Sequence, residues 1–224
     1  MNEFKEIEIK LSPKLKTSYS TAVFGKLAVR DVPNRKKHNE LESKKRDLEK
    51  MIREVYPEVD EDTTIRGYDT YFKKWGKTYP IAFQIKTIKE GGHFPQVSIL
   101  VDSMFLAELK TRILTSGHDL DTIQGELIFD VSEGGERYMK INGKEQTLKD
   151  NDVILKDGDE ILASVLYGPA RKTSITPSTQ NVLYFAWCPY GAREELITEH
   201  LSEILANLYV VFESTSSKIH IYQE

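Results

Sequence analysis

Hydrophobic positions along this chain change period several times. Over Lys36 to Val55, the residues Leu41, Leu48, Ile52 and Val55 recur at helical spacing among mixed charges, so the segment reads as an amphipathic helix with a solvated face. A second helical stripe, Leu196, Ile197, Leu201, Ile204, Leu205 and Leu208, follows Tyr190-Gly191. Elsewhere the pattern is strand-like. Glu6 to Lys10 alternates weakly and Val23 to Val29 is apolar, which predicts two early strands. Phe94 to Val101 lies between Gly91-Gly92 and Asp102 and reads as a buried strand, with a helix-like run after it. Short candidate strands then follow at Leu127 to Val131, Arg137 to Ile141, Val153 to Leu155 and Glu160 to Tyr167. Three turn signals separate them: Glu133-Gly134-Gly135-Glu136, Asn142-Gly143 (suited to a type I′ turn) and Asp157-Gly158. They predict an antiparallel β lobe over about 126–167. Thr176-Pro177 reads as an N-cap and first-turn proline, opening a helix towards Phe185. The chain then closes on two helices. There is no internal repeat.

Bulk properties narrow the function classes. With 224 residues, 39% hydrophobic and 29% charged, the chain can form one large domain or two interlocked lobes. A net charge of −4 excludes a generic basic clamp on nucleic acid, so any RNA contact needs a local patch. The lone cysteine, Cys188, permits no internal disulfide and suits a reducing compartment; between Trp187 and Pro189 it reads as core filling. No apolar run approaches bilayer length and no signal-peptide pattern opens the chain, so the expected location is cytoplasmic, with no membrane partner.

The local patch is "IRGYDTYFKKWGKTYP", Ile65 to Pro80, in which Arg66, Lys73, Lys74 and Lys77 alternate with Tyr68, Tyr71, Phe72, Trp75 and Tyr79. Rings for stacking and cations for phosphate are what single-stranded RNA recognition uses. The same spacing also fits a core-edge segment with buried rings and solvated lysines. Both readings stand at this point.

Several catalytic signatures are missing. Gly134-Gly135 sits in a turn rather than between strand and helix, there is no Gly-x-Ser-x-Gly elbow, and His38, His93, His118, His200 and His220 lack metal-site spacing. No cofactor and no metal are expected. Two stretches remain: "SGHDLD", Ser116 to Asp121, which crowds a histidine and two carboxylates together, and "GPARKTSITPSTQN", Gly168 to Asn181. In the second, Arg171 could meet a carboxylate or phosphate, and Thr173 could hold a ligand's polar groups or cap the next helix.

The order Val101-Asp102, Gly117-His118-Asp119-Leu120-Asp121-Thr122-Ile123-Gln124-Gly125, Gly135-Glu136, Asn142-Gly143 and Thr179-Gln180-Asn181-Val182-Leu183 resembles the editing domain of the phenylalanyl-tRNA synthetase β subunit, its paired third and fourth domains, and more closely free-standing relatives of that domain. The likeness covers roughly 68–208. It implies an α+β fold, with an antiparallel or mixed β lobe packed against a helix-covered lobe. It also implies one editing-domain-like unit over 1–224, its inner β lobe lying within an outer α/β lobe. Where the synthetase pattern has Asn, His and Glu, this chain has Phe105, Ser116 and Phe185.

The resemblance implies a tRNA-binding protein that hydrolyses mischarged or non-protein aminoacyl-tRNA, the alternative being a non-catalytic RNA-binding module on the same fold. Asp102, Ser116, His118, Asp119, Arg171 and Thr173 are the expected catalytic set, lining one cleft. Arg66, Tyr71, Lys73, Lys74, Trp75 and Lys77 are expected to meet the tRNA. An acidic pocket built from Asp102, Asp119 and Asp121 would favour a cationic amino acid.

Overall fold

A computed structural model of the protein describes residues 7–55, 62–212 and 216–223. In chain order the strands are β1 (Ile9–Leu11), β2 (Val23–Arg30), β3 (Leu114–Asp119), β4 (Leu127–Val131), β5 (Arg137–Met139), β6 (Glu145–Thr147), β7 (Val153–Asp157), β8 (Glu160–Ser164), β9 (Gly168–Pro169), β10 (Val182–Cys188) and β11 (Ser216–Tyr222). The helices are α1 (Pro13–Ser18), α2 (Asn39–Glu54), α3 (Thr63–Lys73), α4 (Pro80–Lys89), α5 (Ile99–Thr111) and α6 (Glu194–Tyr209). The fold is α+β, and the chain divides into two compact units, one built from residues up to Ser20 with Asp121–Ser174, the other from Thr21–Leu120 with the residues from Ile175 onward.

The smaller unit is built on a five-stranded sheet, ordered β1-β4-β7-β8-β9, in which β1 is parallel to β4 and the remaining pairs are antiparallel. Alternation explains β4: Leu127, Phe129 and Val131 are buried while Ile128 and Asp130 are half-buried. Asp157-Gly158 forms the expected tight hairpin between β7 and β8, with Asp157 paired to Glu160. The other two turns differ from expectation. Gly134-Gly135 does not close a hairpin, because β4 pairs with β1 and β7 whereas β5 pairs with β6. At Asn142-Gly143 only the glycine has positive φ (76°), and its N–H donates to the Lys140 carbonyl at 2.9 Å. Lys140 N–H then donates to the Lys144 carbonyl at 3.0 Å, giving a type I turn with a glycine bulge rather than a type I′ turn. Gly125 is needed for a close approach: a Cβ there would sit 2.3 Å from the Asp157 carboxylate.

The larger unit carries a four-stranded antiparallel sheet, ordered β11-β2-β10-β3. Both α5 and α6 pack together, and α6 lies across β2 and β10. Here three expectations are corrected. The run from Phe94 to Val101 is not a strand: it is an extended connection that enters α5 at Ile99. Ten of the thirteen residues of α5 are buried, so the helix shows no polar face, and a helix apolar on all sides cannot be told from a strand by periodicity. Thr176-Pro177 opens a turn instead of a helix, with Thr179 N–H donating to the Thr176 carbonyl at 3.1 Å. The apolar run after it is β10, every residue of which is buried between β2 and β3. Finally, one helix and not two precedes the end, since α6 is followed by β11 at the sheet edge.

Candidate functional site

The predicted RNA patch begins with α3. Asp62 caps this helix, accepting the N–H groups of Thr64 and Ile65 at 2.9 and 3.1 Å. Ile65, Tyr68 and Phe72 share the buried face, together with Tyr71, which is 0% exposed. Tyr68 stacks on Tyr79 at 4.3 Å between ring centroids, and Tyr71 packs against Trp75 at 5.0 Å. The expectation that Tyr71 stacks on a base is therefore corrected: its ring is core. Arg66, Lys73 and Lys74 are exposed, while Trp75 and Lys77 are half-buried. Arg66 and Lys73 lie two helical turns apart, on one outward stripe. Lys73 pairs with Asp69 at 3.0 Å, and the Lys74 ammonium sits 4.9 Å from the Tyr190 ring centroid. The rings hold the helix down; the cations face water.

The SGHD stretch forms β3, an edge strand paired with β10 alone. Alternation puts Ser116 and His118 on one face and Thr115, Gly117 and Asp119 on the other. The Ser116 hydroxyl and His118 Nε2 are 2.9 Å apart, and Trp187 donates its indole N–H to the same hydroxyl at 2.9 Å. Phe185 lies directly opposite Ser116 in the β3–β10 register and meets the His118 ring edge-on, with centroids 5.7 Å apart. Two of the three departures from the synthetase pattern thus sit on one cross-strand pair. Burial pushes the His118 imidazole down to about 3, so it is neutral under physiological conditions. So weak a base has little drive to take a proton from serine or water. The pair can orient a bound carbonyl or water; it is not a nucleophile–base couple.

Asp102 is corrected. It lies in the first turn of α5, 0% exposed, with Oδ2 at 2.5 Å from Lys45 Nζ and Oδ1 accepting the Val97 N–H at 3.0 Å. Both oxygens are engaged inside the fold, so the carboxylate is structural. Burial pushes its proton affinity up, against the opposing pull of Lys45. The partner had a signal in the sequence: Lys45 occupies the apolar stripe of α2 between Leu41 and Leu48, a core position that a lysine fills only when paired. With Asp102 neutralised by Lys45, the basis for a cationic amino acid weakens.

Asp119 accepts the Thr179 hydroxyl at 2.6 Å, and Thr179 in turn accepts the Thr176 N–H at 2.9 Å. Nearby, Gln180 and Asn181 accept the N–H groups of Val32 and Leu120 at 2.9 Å each, and the Asn181 side chain accepts from Asp31 N–H at 3.1 Å. The Thr-Gln-Asn motif therefore clasps the ends of β2 and β3. Arg171 and Thr173 belong to the smaller unit. There Arg171 is exposed, its N–H donating to the Met139 carbonyl at 2.8 Å, and Thr173 is fully buried.

Sequence reasoning missed Trp187 as a partner of Ser116. Had β10 been read as a strand, its period of two would have placed Phe185 and Trp187 on the Ser116 face. Cys188 is core, as expected, and burial pushes its thiol up to about 11. Among the described residues no group of histidine, cysteine or carboxylate side chains could hold a metal ion, and no helix is long and apolar enough to cross a membrane.

The B3/4 domain family matches residues 73–189, a span that contains β3, β10, Arg171 and Thr173. No curated protein matches the sequence. Among solved structures, the chain is similar to an N-terminal fragment of the phenylalanyl-tRNA synthetase β-subunit from Pyrococcus horikoshii, at 13% identity and a TM-score of 0.48, covering 94% of this chain and 49% of that one. It spans about half the length of that structure.

Proposed function

This chain belongs to the B3/4 domain family, and from that premise we propose that it binds aminoacyl-tRNA and hydrolyses the ester of a wrongly attached amino acid. One observation carries the reading. Ser116 and Phe185, which replace residues of the synthetase pattern, are cross-strand partners, and both touch the neutral His118. A pocket in the synthetase manner would be rebuilt here with a hydroxyl and an apolar ring in place of an imidazole and a carboxylate. An aminoacyl ester is already activated, so holding its carbonyl and a water in line suffices without a nucleophile.

Ser116 and His118 supply the fixed hydrogen-bonding groups. Arg171 and Thr173 remain the proposed groups for orienting the aminoacyl end, and Asp119 keeps their opposite number in place by holding the turn at Thr179. Arg66, Lys73, Lys74 and Lys77 meet tRNA phosphates, with Trp75 as the ring next to them. A second reading, a non-catalytic RNA-binding module, draws on the weak basicity of His118.

The deciding experiment is incubation with a panel of mischarged tRNAs, following loss of the ester. The expected result is faster hydrolysis of at least one mischarged species, slowed roughly tenfold or more by Ser116→Ala, the loss of one well-placed hydrogen bond. Saturable tRNA binding with no ester loss across the panel would replace the hydrolase with the module.

A further inference from the structure

The larger unit holds a cleft of about 440 Å³ between the start of α3 and the loop that joins β10 to α6. Neither Ser116 nor His118 lines it, so it stands apart from the hydrolysis proposed above. Its walls include Arg112, Arg193, Thr63, Thr64, Pro189 and Tyr190. Asp62 is the one carboxylate among its described lining residues, and both of its oxygens are engaged. Oδ1 accepts two N–H groups of α3, and Oδ2 meets Arg112 Nε at 2.9 Å. Two guanidinium groups against one occupied carboxylate leave the cleft positive in a chain whose net charge is −4.

Arg112 is held firmly in place. Its backbone is left-handed (φ 61°), with its N–H on the Glu108 carbonyl at 2.7 Å and its carbonyl accepting the Tyr79 hydroxyl at 2.8 Å. Arg193 is exposed at the opposite rim. The Cys188 thiol forms part of the wall, but it stays protonated and offers no nucleophile, so the chemistry here is recognition. The volume falls within the range of roughly 300–1,000 Å³ typical of small-ligand sites.

We infer that this cleft binds a nucleoside monophosphate, with Arg112 and Arg193 on the phosphate and Tyr190 and Pro189 against the base. Guanidinium forks match the oxygens of a phosphate, and the flat phenol ring offers a surface to a planar base. Thr63 and Thr64 supply hydroxyls of the kind a ribose pairs with. The group can arrive as a free nucleotide or as the 5′-terminal residue of an RNA.

Calorimetric titration with AMP, adenosine and inorganic phosphate tests the site. AMP should bind at least about tenfold more tightly than either fragment, and Arg193→Ala should weaken it at least about tenfold without moving the thermal midpoint. Arg193→Lys, which keeps the charge and loses the fork, should recover only part of that affinity. AMP binding no better than adenosine, or equal in Arg193→Ala and the parent, overturns the site. Two RNA hairpins, one with a 5′-phosphate and one with a 5′-hydroxyl, separate the sources. A phosphate preference abolished by Arg193→Ala places an RNA end in the cleft; equal binding leaves the free nucleotide.

Discussion

Thr115 and Ser116 are neighbours on β3, yet each holds a histidine on an opposite face of the same sheet. Thr115 Oγ1 lies 2.6 Å from His200 Nε2, and Thr111 Oγ1 lies 2.6 Å from His200 Nδ1. On the other face, Ser116 Oγ lies 2.9 Å from His118 Nε2. Both imidazoles are fully buried, and burial pushes both down to about 3. The difference is in what each pair joins. Thr111 spends its proton on the Ala107 carbonyl at 2.9 Å, so it accepts from His200 Nδ1–H, and Nε2 accepts from Thr115. That chain of bonds ties α5, β3 and α6 together. His118 is only two residues from Ser116 on one strand, and the sole distant element joined to the serine by a described bond is β10, through Trp187. A histidine that bridges three elements is architecture. One that bonds its own strand leaves its hydroxyl partner available for other work.

The sharpest way to break this comparison is to remove one member from each face. His200→Ala loses two hydrogen bonds and opens a cavity in the core, so it should cost on the order of 3 kcal/mol or more. Ser116→Ala removes one hydroxyl and leaves the Trp187 N–H without its acceptor, which should cost about 1–2 kcal/mol. Urea denaturation of both variants reads the two values. Equal losses, or a larger loss from Ser116→Ala, would show that the two faces are equivalent and would remove the distinction between scaffold and site.

The pH dependence of stability sharpens the comparison from a second side. His118 and His200 stay neutral in the folded protein down to about 3, whereas unfolded imidazoles take up protons below 6.5. Between those values the unfolded chain binds more protons, so stability falls as the pH drops from 6.5 towards 3. Glu108 acts in the opposite direction. Burial raises its carboxyl from 4.5 to about 8, so the folded state keeps a proton that the unfolded state has lost. Stability therefore declines as the pH climbs from 4.5 to about 8. The two trends cross to give maximal stability near pH 6 to 7, by roughly the balance of two histidines against one carboxyl. Glu108→Gln should flatten the alkaline limb and leave the acid limb intact. An alkaline limb unchanged in that variant would mean that Glu108 is not the group responsible.

How much of this was legible in the sequence depends on what each residue faces. The stripes of α2 and α6, the apolar run of β2 and the Asp157-Gly158 hairpin could be read because each has one buried side or a turn with fixed chemistry. The middle of the chain could not be read in the same way. Ile99-Leu100-Val101 opens a helix enclosed on all sides, and Val182 to Cys188 is a central strand enclosed on all sides, so both lose the alternation that marks an element. Ser217 to Tyr222 does alternate, and β11 was within reach of the pattern. At the site, the proximity of Ser116 to His118 follows from their spacing. The roles of Asp102 and Asp119 do not: each is decided by a partner 57 or 60 residues away, Lys45 or Thr179, that no local pattern announces.

The smallest expected stability effect comes from the other region the sequence singled out, the outward stripe of α3. Arg66 and Lys73 are exposed, and the Lys73–Asp69 pair is an i,i+4 surface ion pair of the kind worth only a few tenths of a kcal/mol. Replacing both with alanine should therefore move the unfolding free energy by no more than about 0.5 kcal/mol. Binding should respond quite differently. Each cation that contacts an RNA phosphate releases counterions, so the double variant should flatten the dependence of log affinity on log salt by about 1.4–1.8 in slope. Because the buried rings beneath the stripe are untouched, a loss of stability would show that the cations are part of the scaffold. Titrating tRNA at four salt concentrations against parent and variant reads the slope. Identical slopes would take α3 out of the RNA surface and reduce this stripe to what the rings beneath it already are, a part of the fold.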